Sequence, residues 1–364
     1  MQIPTEAKDF SLNWLNAALA DVLNGNTVTH CTVIDSDVPG QTAEIVKIQL
    51  EFDQPDSMVS PNLIGKYTSR NPMVIEEIVN NFGQYWRETS FYSEFQKPGI
   101  SVPRCYYQDF NPDQQTFVLL MKDLSPAESP SWAISSDQVE VALAHLPRFH
   151  TKWWNDAALR SKPWIVQPDN TEFWTAGVHG AAQGREIIEI HFGNSAELSC
   201  ELMGLAANRF EDLMKHFISR PYTLVHGDYH AKQMFFPTEA GGEFSVIDWQ
   251  FPFVAPGAWD FARMLAVCAD TDFRRAEEQR LLSSYHFSLQ DAGVEHYSRQ
   301  DLENDYRIGL FVSQMIMCIA VASTDIEILK TECEGLGVDW KEVCIYRTQE
   351  ALADWNVFEF VRDL

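Results

Sequence analysis

The sequence predicts an α+β chain of two lobes, with strands concentrated in the first lobe and helices in a larger second lobe. Three observations predict it. Alternating apolar residues, typical of half-buried strands, lie mainly before residue 124. A Pro/Ser-rich connector, Leu124-Ser-Pro-Ala-Glu-Ser-Pro-Ser, follows them, and apolar residues at helical spacing dominate the rest. We therefore expect one lobe over residues 1–123 and another over residues 124–364.

The first lobe begins with a predicted helix over residues 11–24 and continues with strands. Apolar residues alternate with polar ones over residues 44–52, which predicts a half-buried strand. The turn sequence Pro39-Gly40-Gln41 before it makes residues 27–52 a predicted hairpin. A third strand, over residues 62–68, contains Lys66.

One helix of the first lobe is expected after the third strand. Asn71-Pro72 supplies an N-cap and a first-turn proline, and Pro98-Gly99 ends the segment. Between them an aromatic stripe that includes Phe82, Trp86 and Phe91 is expected to pack into the core. Strands near residues 102–108 and 116–121 complete the predicted lobe.

The second lobe is predicted to be mainly helical, with one exception that carries the chemistry. Helices are expected over residues 137–155, 183–218, 259–288 and 300–330. Residues 222–250 instead predict two short strands joined by a hairpin turn. Antiparallel pairing of those strands would bring Asp228 and Gln233 beside Asp248. Two carboxylates and an amide suit Mg²⁺ held together with substrate phosphates.

The composition limits the partners of the chain. It has 27 Lys and Arg against 52 Asp and Glu, a formal net charge of −25. Such a charge repels nucleic acid and anionic membrane surfaces, so neither is an expected partner, and no obligate protein partner is inferred. A cationic substrate would suit it, although solubility alone also accounts for an acidic surface.

Two further features predict a soluble, cytoplasmic protein. The N-terminal residues lack the charged-then-apolar pattern of a signal segment. The most apolar helical run, residues 308–323, is short for a bilayer and contains Ser313 and Gln314. The chain has seven cysteines and none in a C-x-x-C pair, which argues against a disulfide framework.

The motifs of this chain resemble, in order, those of the aminoglycoside phosphotransferase and choline kinase-like superfamily. His226-Gly227-Asp228 followed by Ile247-Asp248-Trp249 resembles its H-G-D…I-D-W signature. The residues in and around these motifs are most similar to those of the ecdysteroid kinase-like branch. Four further segments resemble the family's helix, hinge and second-lobe helices: Trp86-Arg-Glu88-Thr-Ser-Phe91-Tyr92, Leu119 to Leu124, Leu143 to His150, and Trp259-Asp260-Phe-Ala-Arg. The resemblance covers roughly residues 10 to 290. The resemblance implies a bilobal protein kinase-like fold with the nucleotide bound by the first lobe.

The resemblance implies ATP and Mg²⁺ as cofactors and assigns residues to them. Lys66 would contact the phosphates and pair with Glu88, and Glu94 is the rival partner. The alternative interpretation is that Lys66 is an ordinary lysine on the exposed face of a strand. Asp248 and Gln233 would hold Mg²⁺. Three groups of residues would contact the nucleotide: the turn Gly40, Gln41 and Thr42 over the phosphates, Met121 to Leu124 including Asp123 at the adenine, and His230 at a phosphate.

Asp228 would be the catalytic base, or the carboxylate that orients the substrate hydroxyl. His226 and Asp260 would support the loop, His226 as a buried anchor and Asp260 by accepting backbone hydrogen bonds. The family has Asn where this chain has Gln233, which is one methylene longer and leaves metal binding open. His230 stands where protein kinases place a phosphate-contacting Lys.

Three function classes follow. The leading hypothesis is an ATP-dependent kinase that transfers the γ-phosphoryl group to a hydroxyl of a small molecule. A nucleotide-binding pseudokinase is the alternative raised by Gln233, and a metal hydrolase with ligands His226, Asp228 and His230 is the third. The acceptor stays open between an aminoglycoside- or choline-like cation and a lipophilic alcohol such as a sterol.

Overall fold

A computed structural model describes residues 1–35, 42–54, 57–79, 82–239, 241–323 and 326–364. The strands of this part of the chain, in order, are β1 Val28–Asp35, β2 Ala43–Phe52, β3 Asn62–Thr68, β4 Cys105–Asn111, β5 Thr116–Lys122, β6 Thr223–Val225, β7 Met234–Phe235, β8 Ser245–Val246 and β9 Phe253–Ala255.

The helices, in the same order, are α1 Leu12–Ala18, α2 Ala20–Leu23, α3 Pro72–Val74, α4 Gln84–Glu94, α5 Ser136–Lys152, α6 Ala157–Arg160, α7 Thr171–Gln183, α8 Arg185–Phe192, α9 Glu197–Asn208, α10 Phe210–Ser219, α11 Ala258–Cys268, α12 Thr271–Asp291, α13 Arg299–Ser323, α14 Ile326–Gly335, α15 Arg347–Asp354 and α16 Val357–Asp363. Single 3₁₀ turns lie at Ala7–Asp9, Gly193–Ala196 and Ala231–Gln233, and π-helical turns at Ile75–Val79 and Glu342–Tyr346.

The chain divides into two compact units. The first comprises Met1–Glu128 and Pro237–Phe251, and the second comprises Ser129–Phe236 and Pro252–Leu364. The short segment Pro237–Phe251 therefore leaves the second unit in sequence and packs with the first, which places Asp248 on the first unit.

The first unit is built on a five-stranded antiparallel sheet with the order β1-β2-β3-β5-β4. Apolar side chains on one face of β2 and β3, among them Val46 and Leu63, meet Phe10 and Leu15 of the N-terminal segment in one buried cluster. Gly65 of β3 permits this packing, since a Cβ there would lie 2.7 Å from the Val46 side chain. The alternation read from the sequence thus gives the sheet its buried face.

The predicted helix after β3 is divided. It consists of α3 and a π-helical turn, and then α4, whose N-cap Gly83 has a left-handed φ of 61°. The left-handed residue changes the direction of the chain, so side chains before and after it do not share one stripe. Phe91 is fully buried, but Trp86 is 38% exposed, and its predicted core position is wrong.

The second unit is mainly helical and packs around α11, every residue of which is buried. The predicted helix over residues 183–218 is three helices, α8, α9 and α10, and α7 precedes them without having been predicted. One described helix, α13, has the length and apolar composition that a membrane span requires, and 67% of its most apolar window is buried inside the protein. Core packing accounts for that apolar character.

Candidate functional site

Three charged side chains meet in the first unit. Lys66 of β3 directs its Nζ to Glu88 Oε1 of α4 at 2.8 Å and to Asp248 Oδ1 at 2.6 Å. Lys66 is 9% exposed and Glu88 is 1% exposed. The sequence named Glu88 and Glu94 as rival partners, and the structure places Glu88 against the lysine. We call Lys66, Glu88 and Asp248 the lysine triad.

Aromatic packing brings Asp248 to the lysine. The next residue, Trp249, is fully buried, and its ring stacks on Phe91 at 4.0 Å with an interplanar angle of 5°. Phe91 lies on α4 three residues after Glu88, so the same helix anchors both carboxylates of the triad. Asp248 has a left-handed φ of 65°, a conformation that an aspartate holds only at a cost of about 1–3 kcal/mol.

The electrostatics of the lysine triad keep the cation charged. Burial alone would lower the pKa of Lys66, but Asp248 and Glu88 outweigh burial and raise that pKa above its usual value. Asp248 Oδ2 has no hydrogen-bond partner in the part of the chain that the structure describes, and the side chain is 18% exposed. An open carboxylate oxygen is the kind of ligand that Mg²⁺ prefers, so the donor chemistry fits that ion.

The turn predicted to cover the phosphates falls partly outside the described residues, which exclude Gly40 and Gln41. Thr42 is described at the start of β2. Its carbonyl oxygen accepts a hydrogen bond from the Tyr85 hydroxyl at 2.6 Å, and its Oγ1 donates to Gln250 Oε1 at 3.1 Å. Thr42 is thus held to α4 and to the segment that carries Asp248.

The predicted adenine-contacting segment, Met121 to Leu124, begins within β5 and continues past its end. Met121 is buried in the sheet, and the Asp123 carboxylate accepts hydrogen bonds from the backbone and hydroxyl of Ser125, both at 2.8 Å. That carboxylate therefore fixes the turn. The carbonyl of Asp123 and the N–H of Leu124 have no hydrogen bond among the described residues, which leaves a backbone acceptor and donor for a ligand.

Asp228 lies in a second constellation, within the second unit. Arg263 of α11 donates to Asp228 Oδ1 from Nη2 at 2.7 Å and from Nε at 3.0 Å. His230 Nε2 lies 3.1 Å from Asp228 Oδ2. Burial would raise the pKa of Asp228, but His230 and Arg263 outweigh it and hold that pKa well below its usual range. Asp228 is therefore a carboxylate at neutral pH.

Asp260 holds the loop that precedes Asp228. It is fully buried and accepts backbone N–H donors from His226 at 2.7 Å and from Gly227 at 3.0 Å. Gly227 has a φ of 84°, which a side chain would strain. His226 Nδ1 in turn accepts the N–H of Asp228 at 3.3 Å. Buried carboxylate and imidazole acceptors thus fix the backbone on both sides of the turn.

Arg263 is the residue that sequence reasoning missed, because its role was not assigned although it ends the Trp259-Asp260-Phe-Ala-Arg motif. The available signal was its spacing. Arg263 lies three residues after Asp260 on a predicted helix, so the two residues share a face. In the structure Arg263 is 3% exposed, and an arginine buried to that degree requires an anionic partner.

The remaining predicted ligands are placed as follows. Gln233 is the last residue of the turn Ala231–Gln233 and is half-buried. Its side-chain amide has no hydrogen bond among the described residues, whereas its backbone N–H donates to the carbonyl of His230. It belongs, with Asp228, to the second unit, whereas Asp248 belongs to the first, so their approach stays a prediction. No group of three His, Cys, Asp or Glu side chains with metal-binding geometry occurs within the described ranges.

Comparison with solved structures shows that this chain has a kinase-like fold. Over 96% of this chain and 98% of the other, the fold is similar to that of a candidate aminoglycoside phosphotransferase from Ralstonia eutropha, with a TM-score of 0.53 and 14% identity. The choline kinase LicA of Streptococcus pneumoniae matches with a TM-score of 0.51 and 14% identity, over 94% and 98% of the two chains. Aminoglycoside 2′-phosphotransferase-IIIa in a GDP complex matches with a TM-score of 0.51 and 13% identity, over 96% and 99%.

The sequence model of the Ecdysteroid kinase-like family matches residues 180–296, which include Asp228, Asp248 and Asp260. The predicted α+β kinase-like fold and the predicted resemblance to this superfamily and branch are therefore confirmed.

A curated relative is longer. The chain is 21% identical over 327 residues to the uncharacterized oxidoreductase dhs-27 of Caenorhabditis elegans, a match that covers 80% of this chain and 39% of that protein. The chain thus spans about two fifths of the length of this relative, and the name describes the relative as a whole.

Proposed function

We propose that the protein is an ATP-dependent phosphotransferase that moves the γ-phosphoryl group to a hydroxyl of a small molecule. The observation that carries the proposal is the lysine triad. A cation kept charged between two carboxylates, in a kinase-like fold, suits binding of nucleotide phosphates on the first unit. The GDP complex of a structural neighbour supports a purine nucleotide.

The nucleotide contacts belong to the first unit. Lys66 would neutralise phosphate oxygens. The carbonyl of Asp123 and the N–H of Leu124 would pair with the donor and acceptor edge of adenine.

Asp248 would hold Mg²⁺ through its open oxygen. When bound, the ion neutralises charge on the phosphates during transfer.

Asp228 would act on the acceptor. Because it is ionised, it accepts a hydrogen bond from the substrate hydroxyl and orients the oxygen lone pair toward the γ-phosphorus. A bond forms between that oxygen and phosphorus while the bond to the bridging β–γ oxygen breaks, so that ADP leaves. The hydroxyl proton passes to Asp228 as the new bond forms.

The acceptor is proposed only as a class, a small hydroxyl-bearing molecule. Structural neighbours are named for aminoglycosides and choline, and the matched family for ecdysteroids. The net charge of −25 favours a cation among these. We place the reaction in the cytoplasm, where ATP is available.

The test is phosphoryl transfer from ATP and from GTP to a panel of alcohols, for the wild type and Asp228→Asn. We expect the variant to lose about 10²–10⁴-fold in turnover while its nucleotide Kd, measured calorimetrically, is unchanged. Asp291→Asn, at an exposed aspartate of the second unit, is the matched control and should equal the wild type.

A nucleotide-binding protein without turnover is the second candidate, favoured by Gln233 at the metal-ligand position. Nucleotide binding by a wild type that transfers no phosphoryl group to any panel member would select it. Unchanged turnover in Asp228→Asn would overturn the assignment of the base.

A further inference from the structure

A buried cluster surrounds His230 in the second unit. The Trp132 indole stacks on the imidazole at 4.9 Å with an interplanar angle of 27°. Lys232 Nζ lies 5.7 Å from the centroid of the indole and binds Glu332 at 2.9 Å. His230 is 6% exposed and Trp132 is 7% exposed. The imidazole is therefore held in place by an aromatic ring that is itself covered by an ion pair.

The contact with Asp228 fixes the tautomer of His230. Asp228 is ionised, so its Oδ2 can only accept, and Nε2 of the imidazole must carry the hydrogen. Nδ1 then has the lone pair, and it is buried with no hydrogen-bond partner among the described residues. The ring thus gives up hydrogen bonding at one nitrogen in order to donate to Asp228 from the other.

Arg263 completes the arrangement from the other side. Its two N–H donors converge on Asp228 Oδ1, while His230 donates to Oδ2. Because donors engage both oxygens, the carboxylate group is fixed against rotation about its Cβ–Cγ bond. A donor at one oxygen alone would not fix it in this way.

We propose that His230 is a positioning residue for phosphoryl transfer, which orients Asp228 through the Nε2–H hydrogen bond and is itself held by Trp132. The proposal rests on the proposed function. It differs from the sequence expectation of a phosphate contact. Burial lowers the pKa of His230 and so favours the neutral ring, whose single N–H is committed to Asp228. A fixed carboxylate aligns the acceptor hydroxyl without reorganisation during the reaction.

The kinetic test compares two substitutions of His230. His230→Leu removes the donor, and we expect kcat to fall about 10- to 100-fold, with the nucleotide Kd unchanged. His230→Gln restores an N–H donor, and kcat should stay within about fivefold of the wild type. His216→Gln is the matched control, since His216 is a half-buried histidine of the second unit and does not contact Asp228.

Two kinetic outcomes would overturn the proposal. One is a His230→Leu variant whose kcat is within about twofold of the wild type. The other is an equal loss in His230→Gln and His230→Leu, which would mean that the imidazole itself, and not a donated hydrogen bond, is required.

An NMR measurement tests the geometry without turnover, in the folded protein with its native His230. Long-range ¹H–¹⁵N spectra of histidine side chains, assigned by the loss of one set of signals in His230→Gln, should show the Nε2–H tautomer at neutral pH. Asp228→Asn should shift that set and leave the His216 signals in place. An Nδ1–H tautomer, or no shift in Asp228→Asn, would overturn the positioning role. Absence of phosphoryl transfer by the wild type would instead overturn the proposed function, whatever the spectra show.

Discussion

The lysine triad and the residues around Asp228 differ in which charge lies at the centre. In the lysine triad one cation is shared by two carboxylates, and one oxygen of Asp248 has no described partner. Around Asp228 one carboxylate is shared by a guanidinium and an imidazole, and both of its oxygens are engaged. The first constellation has two acidic groups for one cation, with the pKa of Glu88 raised to about 7 by burial, whereas the second has one carboxylate for one guanidinium.

The difference indicates what each constellation is prepared to receive. An anionic group with an open oxygen can take up a metal ion that arrives with nucleotide phosphates. A carboxylate engaged at both oxygens gains little from a new ion, but its direction is fixed, which suits orientation of a neutral hydroxyl. In the proposed reaction the first unit would bind the metal and the nucleotide phosphates, and the second unit would orient the acceptor hydroxyl.

The largest expected effect breaks the balance around Asp228. Arg263→Leu leaves a mostly buried carboxylate without its cation, and we expect the free energy of unfolding to fall by about 3–5 kcal/mol, measured by urea denaturation. Arg307→Leu is the matched control, because Arg307 bonds to a backbone carbonyl and an amide rather than to a carboxylate. A loss no larger than that of the control would refute the pairing.

A double substitution sharpens the same point. Arg263→Leu leaves the Asp228 charge unpaired, and Asp228→Asn removes that charge. The double variant should therefore lose less unfolding free energy than the two single variants lose in sum. Strict additivity would show that the two side chains do not interact.

A somewhat smaller effect is expected at the lysine triad, in catalysis rather than in folding. Lys66→Met removes the cation that would meet the phosphates, and turnover should fall about 10²–10³-fold, or about 2.7–4 kcal/mol in the barrier. Lys47→Met, at an exposed lysine of the neighbouring strand, is the control. Steady-state kinetics with varied ATP measure both, and equal values for the two variants would remove Lys66 from the site.

The smallest expected effect concerns acid. The pKa of Asp228 is lower in the folded chain than in the unfolded one, so its pairing contributes stability that is fully present above about pH 4 and lost as the pH falls toward the folded value. The difference in unfolding free energy between the wild type and Asp228→Asn should therefore shrink on acidification from pH 6 to pH 3. A difference that grows over this range would contradict the assigned direction of the shift.

Much of the fold was readable because local pattern and final structure agree. The strand predicted over residues 62–68 is β3, Asn62–Thr68, since alternation directly encodes which face of a sheet is buried. The helix expected over residues 137–155 is α5, which Ser135 caps with its side chain. Such signals lie within a few residues of the element that they specify.

Prediction was wrong where a single backbone position changes the direction of the chain. Gly83 separates α3 and its π-helical turn from α4, so the periodicity that placed Trp86 in the core did not continue through it. The region 183–218 contains three helices rather than one, and the first of its two breaks has a similar cause, since Gly193 has a positive φ of 57° at the end of α8. Helical spacing alone does not reveal where the phase changes.

The sequence by itself determined the types and order of the charged residues that we assign to the site. Asp228, Asp248, Lys66 and Glu88 were named from motifs and spacing, because residue type decides what chemistry is available. The sequence also favoured Glu88 over Glu94 as the partner of Lys66, which the structure places at 2.8 Å. Only the tertiary structure decided the other partners: Asp248 for the lysine, and Arg263 and His230 for Asp228. Asp248 lies 182 positions after Lys66, and Arg263 lies 35 positions after Asp228, whereas the contact of His230 depends on how the turn after Asp228 folds. No local pattern encodes them, since they arise from packing such as that of Trp249 on Phe91.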